Sequence, residues 1–254
     1  MPSSCPLQNF YSAAQCMRYQ AAIAHRYSCR VFGEPLDISH LSALSYAAER
    51  VRLPGTRIVI APCPEKLFFG LPIVGKIRGM SHCAYIIADQ RIDFPALLSG
   101  ISGEAFVLEA AAMGVGTCWV AGSYRRALAD AQLQENEKLM AVTPLGLPLQ
   151  TGDMPQRRRK NLSQICLSDP SKWPQWAYHA AENVRNAPSA VNLQPWRLEH
   201  VGHALHLIAG GSKTDTLDYG IAMLHMELAV NGKKHLWKWG EGKTVAHLIV
   251  EENE

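Results

Sequence analysis

Two arginines and a serine alternate near the start of the chain: Arg26, Ser28 and Arg30. In an extended segment, residues at this spacing share one face, so two guanidinium groups and a hydroxyl group converge. Arginine binds phosphate through paired, charge-assisted hydrogen bonds, and the segment therefore predicts a phosphate site, with an exposed basic loop as the alternative. A second basic run, residues 157–160 (RRRK), either adds to the same anion site or is an ordinary solvated run of charge.

Two further segments carry groups suited to a planar heterocyclic ligand. Residues 114–116 (GVG) follow an Ala-rich stretch, and glycines let the backbone approach a flat ligand closely, although a glycine that only ends a helix is the alternative. Residues 187–196 (APSAVNLQPW) place hydroxyl and carboxamide side chains between two prolines. The prolines restrict the loop backbone, so its polar side chains could hydrogen-bond the edge of a heterocycle. A structural turn is the alternative.

Hydrophobic periodicity predicts the elements that hold these segments. Residues 11–25 and 37–52 have apolar positions at helical spacing, and Asp37 is a candidate N-cap. Residues 57–62 and 84–89 are short, aliphatic and bounded by turn formers, which predicts buried strands. Residues 103–113 are apolar on nearly every face, which is typical of a helix packed on several sides and ended by a glycine.

An internal repeat lies on either side of a Gly- and Pro-rich segment at 144–159. The pattern AAExVR occurs at 47–52 and at 180–185, and ExAxxG followed by Trp occurs at 109–119 and at 227–237. We therefore predict two related halves, 1–150 and 151–254, that share one core and pack their repeated helices at a pseudo-twofold axis, with a ligand cleft between them. Chance similarity between two Ala-rich helices is the alternative.

Composition and charge exclude several classes of protein. The 254 residues are 48% hydrophobic and 19% charged, which is ordinary for a globular protein with a sizeable core. The net charge of +3 does not suggest a general nucleic-acid surface, and no long apolar run suggests a membrane span or a signal peptide. The seven cysteines form no Cys-x-x-Cys pair, so we expect reduced thiols and a cytoplasmic location.

The histidines do not predict a metal site, because no two of them have paired ligand spacing. His200, His203 and His206 recur at every third residue, but the aliphatic residues around them predict a strand. In a strand, His200 and His206 share a face and His203 points away. Exposed polar positions explain these histidines better than metal ligation does.

Taken together, RxSxRxF at 26–32, GxGTxW at 114–119 and APSxxNxQPW at 187–196 resemble the nitroreductase family of FMN enzymes. The resemblance covers most of the chain and implies an α+β, nitroreductase-like fold. In that family a homodimer binds FMN at its interface, and the partner's Pro-Ser-x-x-Asn loop meets the ring. The residues implied to bind FMN are Arg26, Ser28 and Arg30, with Arg157 and Arg159 on its phosphate, Pro188, Ser189 and Asn192 facing the isoalloxazine ring, and Gly114, Val115 and Gly116 along its other edge.

The sequence departs from the dimeric pattern in an informative way. Residues 53–57 (LPGTR) stand where the first half would carry the Pro-Ser-x-x-Asn loop, and the second half has no Arg-x-Ser-x-Arg before Ala180. This implies one complete FMN site per chain and a degenerate second one, as in the fused, single-chain branch of nitroreductase-like proteins. Residues 217–222 (LDYGIA), with His225 and Glu227, also resemble that branch. We expect such a chain to be monomeric, because it contains its own pseudo-dimer.

The resemblance implies an oxidoreductase in which NAD(P)H reduces FMN and an electron-poor small molecule, such as a nitroarene or a quinone, takes the electrons. No catalytic side chain is required. Arg30 is expected to place positive charge beside the ring, and the Gly116 amide to hydrogen-bond it. The alternatives are a flavin-binding or sensing protein with little turnover, and a specialised member such as a reductive dehalogenase or flavin-fragmenting enzyme. Residues 65–80 could line the substrate pocket or pack between strands.

Overall fold

The computed structural model of the chain describes residues 4–69, 75–149 and 158–251. Short 3-10 turns occur at Asp130–Gln132, Pro170–Lys172 and Ala190–Asn192. The α-helices in the described residues are α1 (Ala13–His25), α2 (Ile38–Val51), α3 (Pro95–Ala112), α4 (Arg126–Ala129), α5 (Leu162–Ile165), α6 (Gln175–Asn186) and α7 (Leu217–Ala229).

The strands form antiparallel sheets. They are β1 (Phe32–Glu34), β2 (Thr56–Pro62), β3 (His82–Asp89), β4 (Glu137–Leu145), β5 (Leu147–Pro148), β6 (Trp196–Val201), β7 (Ala204–Ala209), β8 (His235–Trp239) and β9 (Thr244–Val250). One sheet has the order β2-β3-β4, a second has the order β6-β7-β9-β8, and β1 pairs with β5. The mixture of helices with antiparallel sheets confirms the predicted α+β class.

The elements with the clearest periodicity lie where the sequence predicts them. Helices α1 and α2 fill the two predicted segments, and the Asp37 carboxylate caps α2 by accepting the His40 N–H at 2.8 Å. The two predicted strands are the cores of β2 and β3. Helix α3, however, begins at Pro95 and not near Gly103. Its first turns contain small residues that weaken the helical pattern of the sequence.

The same order of elements recurs along the chain. The first half runs α2-β2-β3-α3-β4 and the second runs α6-β6-β7-α7-β9, with β8 inserted before β9. In the first sheet β4 pairs antiparallel with β3, and in the second sheet β9 pairs antiparallel with β7. Gly114 and Gly232, which follow the repeated helices, both have left-handed backbones, at φ +75° and +80°. The division at residue 150 stays a prediction.

Helices α3 and α7, one from each half, pack against each other in the core. A Cβ atom added to Gly220 would lie 2.0 Å from the Leu97 carbonyl oxygen, and one added to Gly100 would lie 2.3 Å from the Leu217 carbonyl oxygen. The two helix backbones are therefore in direct contact where they cross. Nearly all the side chains of both helices are buried, which agrees with their apolar sequences.

The outer face of the three-stranded sheet is covered by part of residues 65–80. Leu67 is fully buried there, and Phe68 forms a backbone bridge with Tyr124. Phe69 is 42% exposed. In the described part of the stretch, packing against the sheet is therefore the interpretation that the structure supports, and Leu71 lies outside the described residues.

The Gly- and Pro-rich segment does not begin as a loop, because residues 144–148 contribute to β4 and β5. The prediction that His200 and His206 lie on one strand is wrong. The chain reverses between β6 and β7, so His200 and His206 do not share a face. His200 packs against Trp176 at a ring-centroid distance of 5.6 Å, whereas His206 lies on the outer face beside His247 at 4.5 Å.

Three properties of the described chain bear on its class. No described group of three or more His, Cys, Asp or Glu side chains could hold a metal ion. None of the described helices has both the length and the apolar character needed to cross a bilayer. All seven cysteines are free thiols.

Candidate functional site

The structure brings the arginine segment at 26–30 against the glycine segment at 114–117. The Cys29 N–H donates to the Thr117 carbonyl at 2.8 Å, and Ser28 forms a parallel bridge with Thr117. A Cβ atom added to Gly116 would lie 2.9 Å from the Cys29 sulfur, so only glycine permits this close approach. Two motifs that are far apart in sequence therefore form one surface.

A cavity of about 260 Å³ opens along this surface. Gly114 has φ +75°, and a Cβ atom added there would meet nothing within 4 Å, so its backbone forms an open wall of the cavity. The residues around the cavity come from the C-terminal ends of α1 and α3, from the segments that follow these helices, and from strand β5. They are His25, Arg26, Tyr27, Ala111, Gly114, Val115, Gly116, Thr117 and Pro148.

The backbone amides of the glycine segment are already hydrogen-bonded within the protein. Gly114 donates to Ala111 at 3.0 Å, and Gly116 donates to the Gly146 carbonyl at 2.9 Å. The Gly116 N–H itself closes a bridge to the Gly146 carbonyl, and a hydrogen bond from a backbone N–H near Gly116 to a flavin ring stays a prediction. The backbone of Gly114, Val115 and Gly116 forms one wall of the cavity.

Arg30 carries a hydrogen-bond donor without a partner. Its Nη1 donates to the Ser28 carbonyl at 3.3 Å, but its Nε is buried and has no hydrogen-bond acceptor among the described residues. Buried donors are almost always satisfied, so an orphaned guanidinium N–H indicates that a ligand supplies the acceptor. The site thus fits an anionic or carbonyl-bearing group.

Arg26 is only 4% exposed and lies at the start of a buried polar network. Its Nε is 3.8 Å from Oε1 of Glu104 on α3. The Glu104 carboxylate also accepts the Trp119 indole N–H at 2.8 Å and lies 3.1 Å from His225 Nε2. His225 Nδ1 donates to the Asn183 carbonyl at 2.9 Å, since a carbonyl oxygen can only accept.

This network joins the two halves of the molecule. Arg26 and Glu104 come from the first half, whereas His225 on α7 and Asn183 on α6 come from the second. The motifs that resemble a flavin site did not include Glu104. A charged residue on an otherwise apolar helix was the sequence signal that could have identified it.

The loop at 187–194, called the ring loop below, has an unusual backbone. Val191, Asn192 and Gln194 all have left-handed backbones, at φ 41°, 58° and 47°. The Ser189 hydroxyl accepts the Gln194 N–H at 2.8 Å and closes the loop. Of the predicted site residues here, Pro188 is buried, Ser189 is half-buried and Asn192 is exposed.

The basic run packs against the ring loop. Arg159 donates to the Asn192 side-chain oxygen at 2.7 Å and to the Asn186 carbonyl at 3.3 Å. The Asn192 amide in turn donates to the Arg158 carbonyl at 2.8 Å. The structure therefore places Arg159 with Asn192 and Ser189, while Arg157 lies outside the described residues.

The predicted site residues consequently form two groups. Arg26 and residues 114–116 line the cavity, and Ser28 and Arg30 continue the Arg26 segment next to it. Arg159, Pro188, Ser189 and Asn192 form the ring loop and its support. Helix α6 connects the groups, because Asn183 contacts the buried network and Asn186, at the end of the same helix, contacts Arg159.

Burial controls the ionisation of the groups beside the cavity. It raises the pKa of Tyr27 to about 12 and also raises the pKa of the Cys29 and Cys118 thiols. Both thiols therefore stay protonated at neutral pH. Because the thiolate is the reactive form of cysteine, these groups do not provide a nucleophile.

The fold is α+β, and its two halves contribute the two groups of candidate site residues within the described part of the chain. A family model described as "Putative TM nitroreductase" matches residues 19–230. Since this match covers more than half of the chain, the protein belongs to that nitroreductase family. No curated protein sequence matches the chain.

Several solved structures are similar to the chain, and one of them shows its fold. A "putative nitroreductase" from Thermotoga maritima MSB8 matches with a TM-score of 0.67 at 22% identity, over 92% of this chain and 93% of that chain. A "Putative NADH dehydrogenase/NAD(P)H nitroreductase" from Bacteroides thetaiotaomicron VPI-5482 matches with a TM-score of 0.47 at 17% identity, over 57% and 94%. A nitroreductase with bound FMN from Desulfitobacterium hafniense DCB-2 has a TM-score of 0.41 at 18% identity, over 55% and 94%. The predicted nitroreductase fold is confirmed by the first of these.

Proposed function

We propose that the protein is an FMN-dependent oxidoreductase that passes electrons from NAD(P)H to an electron-poor small molecule of the nitroaromatic or quinone type. The proposal rests on one observation above others: residues 26–30 pack against residues 114–117, with Arg26 and Tyr27 lining the cavity there, and the Arg30 Nε of the same segment is buried without an acceptor. Membership of the nitroreductase family supports an oxidoreductase.

The residues of the site fit FMN in distinct ways. Arg26, Ser28 and Arg30 would bind its polar groups, and residues 114–116 would lie against its flat surface. Pro188, Ser189 and Asn192 would meet the ring from the other half of the chain. FMN supplies the redox chemistry when it is bound, so the protein contributes position, charge and access. Arg30 would hold a fixed positive charge next to the electron-accepting ring.

A single FMN site per chain is supported by the path of the N-terminal segment. By the internal repeat, a second site would lie between the turn after α7 and the end of α2. Gln8 occupies the first of these places, because its side chain donates to the His235 carbonyl at 2.5 Å and accepts the Trp237 N–H at 2.7 Å. The Tyr11 hydroxyl reaches the second, where it donates to the Val51 carbonyl at 2.8 Å.

We infer that the N-terminal segment occupies the counterpart of the cavity, where the buried side chains of Leu7 and Tyr11 would take the space of a second flavin. We propose that the fused chain works as a monomer with one composite site. Its free thiols fit a reducing, cytoplasmic location.

The first test is the visible spectrum and flavin content of the purified protein, followed by oxidation of NADH or NADPH in the presence of a nitroarene or a quinone. We expect about one FMN per chain and acceptor-dependent turnover. A colourless protein that takes up no added FMN would contradict the cofactor assignment. Bound FMN without turnover would contradict the oxidoreductase assignment and leave a flavin-binding protein.

Arg30→Ala gives the sharper test of the site. Because the variant removes a charge-assisted donor, we expect the dissociation constant for FMN to rise about 10- to 100-fold, as measured by quenching of flavin fluorescence. Arg52→Ala is a matched control, since Arg52 is a half-exposed arginine paired with Glu49 at the end of α2. Equal FMN affinity in the two variants would remove Arg30 from the site.

A further inference from the structure

The ring loop is held in a conformation that its sequence does not favour. Left-handed backbones are rare for residues other than glycine, and they cost most at a β-branched residue such as Val191. Val191 is 62% exposed, so burial of its side chain does not explain the conformation. Contacts to the backbone of the loop must therefore hold it in place.

Asp218 provides such a contact from the first turn of α7. Its two carboxylate oxygens lie 3.1 Å and 3.2 Å from the Ala190 nitrogen, in the middle of the loop. The next residue, Tyr219, donates its hydroxyl proton to the Pro195 carbonyl at 3.2 Å, just beyond the loop. The start of α7 therefore fixes two points of the loop backbone.

Lys160 holds the loop from the basic run. Its ammonium group donates to the carbonyls of Leu193 at 2.7 Å and Gln194 at 3.1 Å, and its backbone N–H donates to the Gln194 side chain at 2.9 Å. The lysine carries positive charge to one part of the loop while Asp218 carries negative charge to another. Each charge meets backbone groups of the opposite polarity.

We propose that Asp218 is the positioning residue of the ring loop, and that it acts with Lys160 as a clamp that sets the loop for flavin before flavin binds. The inference rests on the proposed function, since it assigns the clamp to the FMN site. Asp218 belongs to residues 217–222, and its place in the structure gives that segment a role at the site. The clamp holds the loop and touches no reacting atom.

The clamp has a definite energetic consequence. A loop that already has its binding conformation loses little conformational entropy when the ligand binds. Without Asp218, the Ala190 N–H loses its acceptor and the left-handed residues relax. FMN must then restore the strained conformation, which weakens its binding.

The test compares Asp218→Ala with Asp215→Ala as a matched control. Asp215 also lies at the start of α7 and also accepts a backbone N–H, but that of Leu97 at 2.7 Å, so it caps α3 and not the ring loop. Hydrogen exchange of the FMN-free proteins is measured by mass spectrometry, and the dissociation constant for FMN is measured separately. Neither readout depends on turnover.

We expect Asp218→Ala to speed exchange in peptides that cover 187–194 and to raise the dissociation constant for FMN by about tenfold. Asp215→Ala should speed exchange at the start of α3 and leave FMN affinity unchanged. Asp218→Asn keeps an acceptor oxygen, so its effects should be smaller. Unchanged loop exchange and unchanged affinity in Asp218→Ala would overturn the proposal.

Lys160→Met provides a second, independent variant if Asp218→Ala does not fold. It should speed exchange at residues 193–194 and weaken FMN binding, and no change in either quantity would also overturn the clamp. Wild-type protein that binds no FMN would contradict the proposed function, whereas the exchange data on the FMN-free protein would still decide whether Asp218 holds the loop.

Discussion

At the scale of single residues, the most demanding feature is the charged network inside the core. Glu104 is fully buried between α3 and α7, and an unpaired carboxylate there would be costly. It is compensated by Arg26 and His225 and by the Trp119 indole N–H. Because Arg26 also lines the cavity, the same network fixes the position of a predicted flavin-binding arginine.

Glu104→Ala should therefore destabilise the protein strongly. The variant leaves the Arg26 guanidinium buried without its counter-charge and removes the acceptor of the Trp119 indole N–H, so we expect the free energy of unfolding to fall by about 3–5 kcal/mol. Urea denaturation of the FMN-free protein measures this. Glu49→Ala is the control, because the Glu49–Arg52 pair is exposed and its loss should cost less than about 1 kcal/mol. Similar losses in both variants would show that the network does not stabilise the core.

At the scale of elements, sequence periodicity predicted the helices and strands that carry a clear apolar pattern of their own. Helices α1 and α2 and strands β2 and β3 each carry a clear apolar pattern, and each lies where predicted. The start of α3 was missed because Ser99, Gly100 and Ser102 look unfavourable in a helix. In the structure Gly100 is needed for close packing, since a Cβ atom there would lie 2.3 Å from the Leu217 carbonyl oxygen.

The candidate site was predictable only in part. Residue types identified the arginine and glycine segments, but their meeting depends on a bridge between Ser28 and Thr117 that no local pattern contains. The direction in which Arg159 points also depends on where the ring loop lies. Left-handed backbones at Val191 and Asn192 have no sequence signal, because neighbouring elements impose them.

The crossing of α3 and α7 leads to a prediction about backbone contact. Gly220→Ala would place a Cβ atom inside the contact distance of the Leu97 carbonyl and force the helices apart, so we expect the free energy of unfolding to fall by about 3 kcal/mol. Gly122→Ala is the matched control, because nothing lies within 4 Å of a Cβ atom there. The midpoints of urea unfolding measure the stability of both variants. Unchanged stability in Gly220→Ala would contradict the direct contact of the helices.

At the scale of the whole molecule, the chain repeats one arrangement of elements but not its site. The repeated helices pack in the centre, while the arginine segment and the ring loop each occur once. The N-terminal segment joins the turn after α7 to the end of α2, which is where the second copy of the cavity would lie. These contacts support the proposal that the chain has one ligand site, with the N-terminal segment packed where the internal repeat would place a second.

This asymmetry predicts different effects for substitutions in the N-terminal segment and at the cavity. A change in the N-terminal segment should alter stability, and a change at the cavity should alter FMN binding. Tyr11→Phe removes the hydrogen bond to the Val51 carbonyl, so it should lower the free energy of unfolding by about 1 kcal/mol and leave the FMN content at about one per chain. Arg30→Ala should do the opposite, with FMN binding weakened about 10- to 100-fold and the unfolding midpoint of the FMN-free protein unchanged. Urea denaturation and flavin quantification on the same samples measure both effects. Two FMN per wild-type chain, or loss of FMN in Tyr11→Phe, would show that the N-terminal segment does not fill the second site.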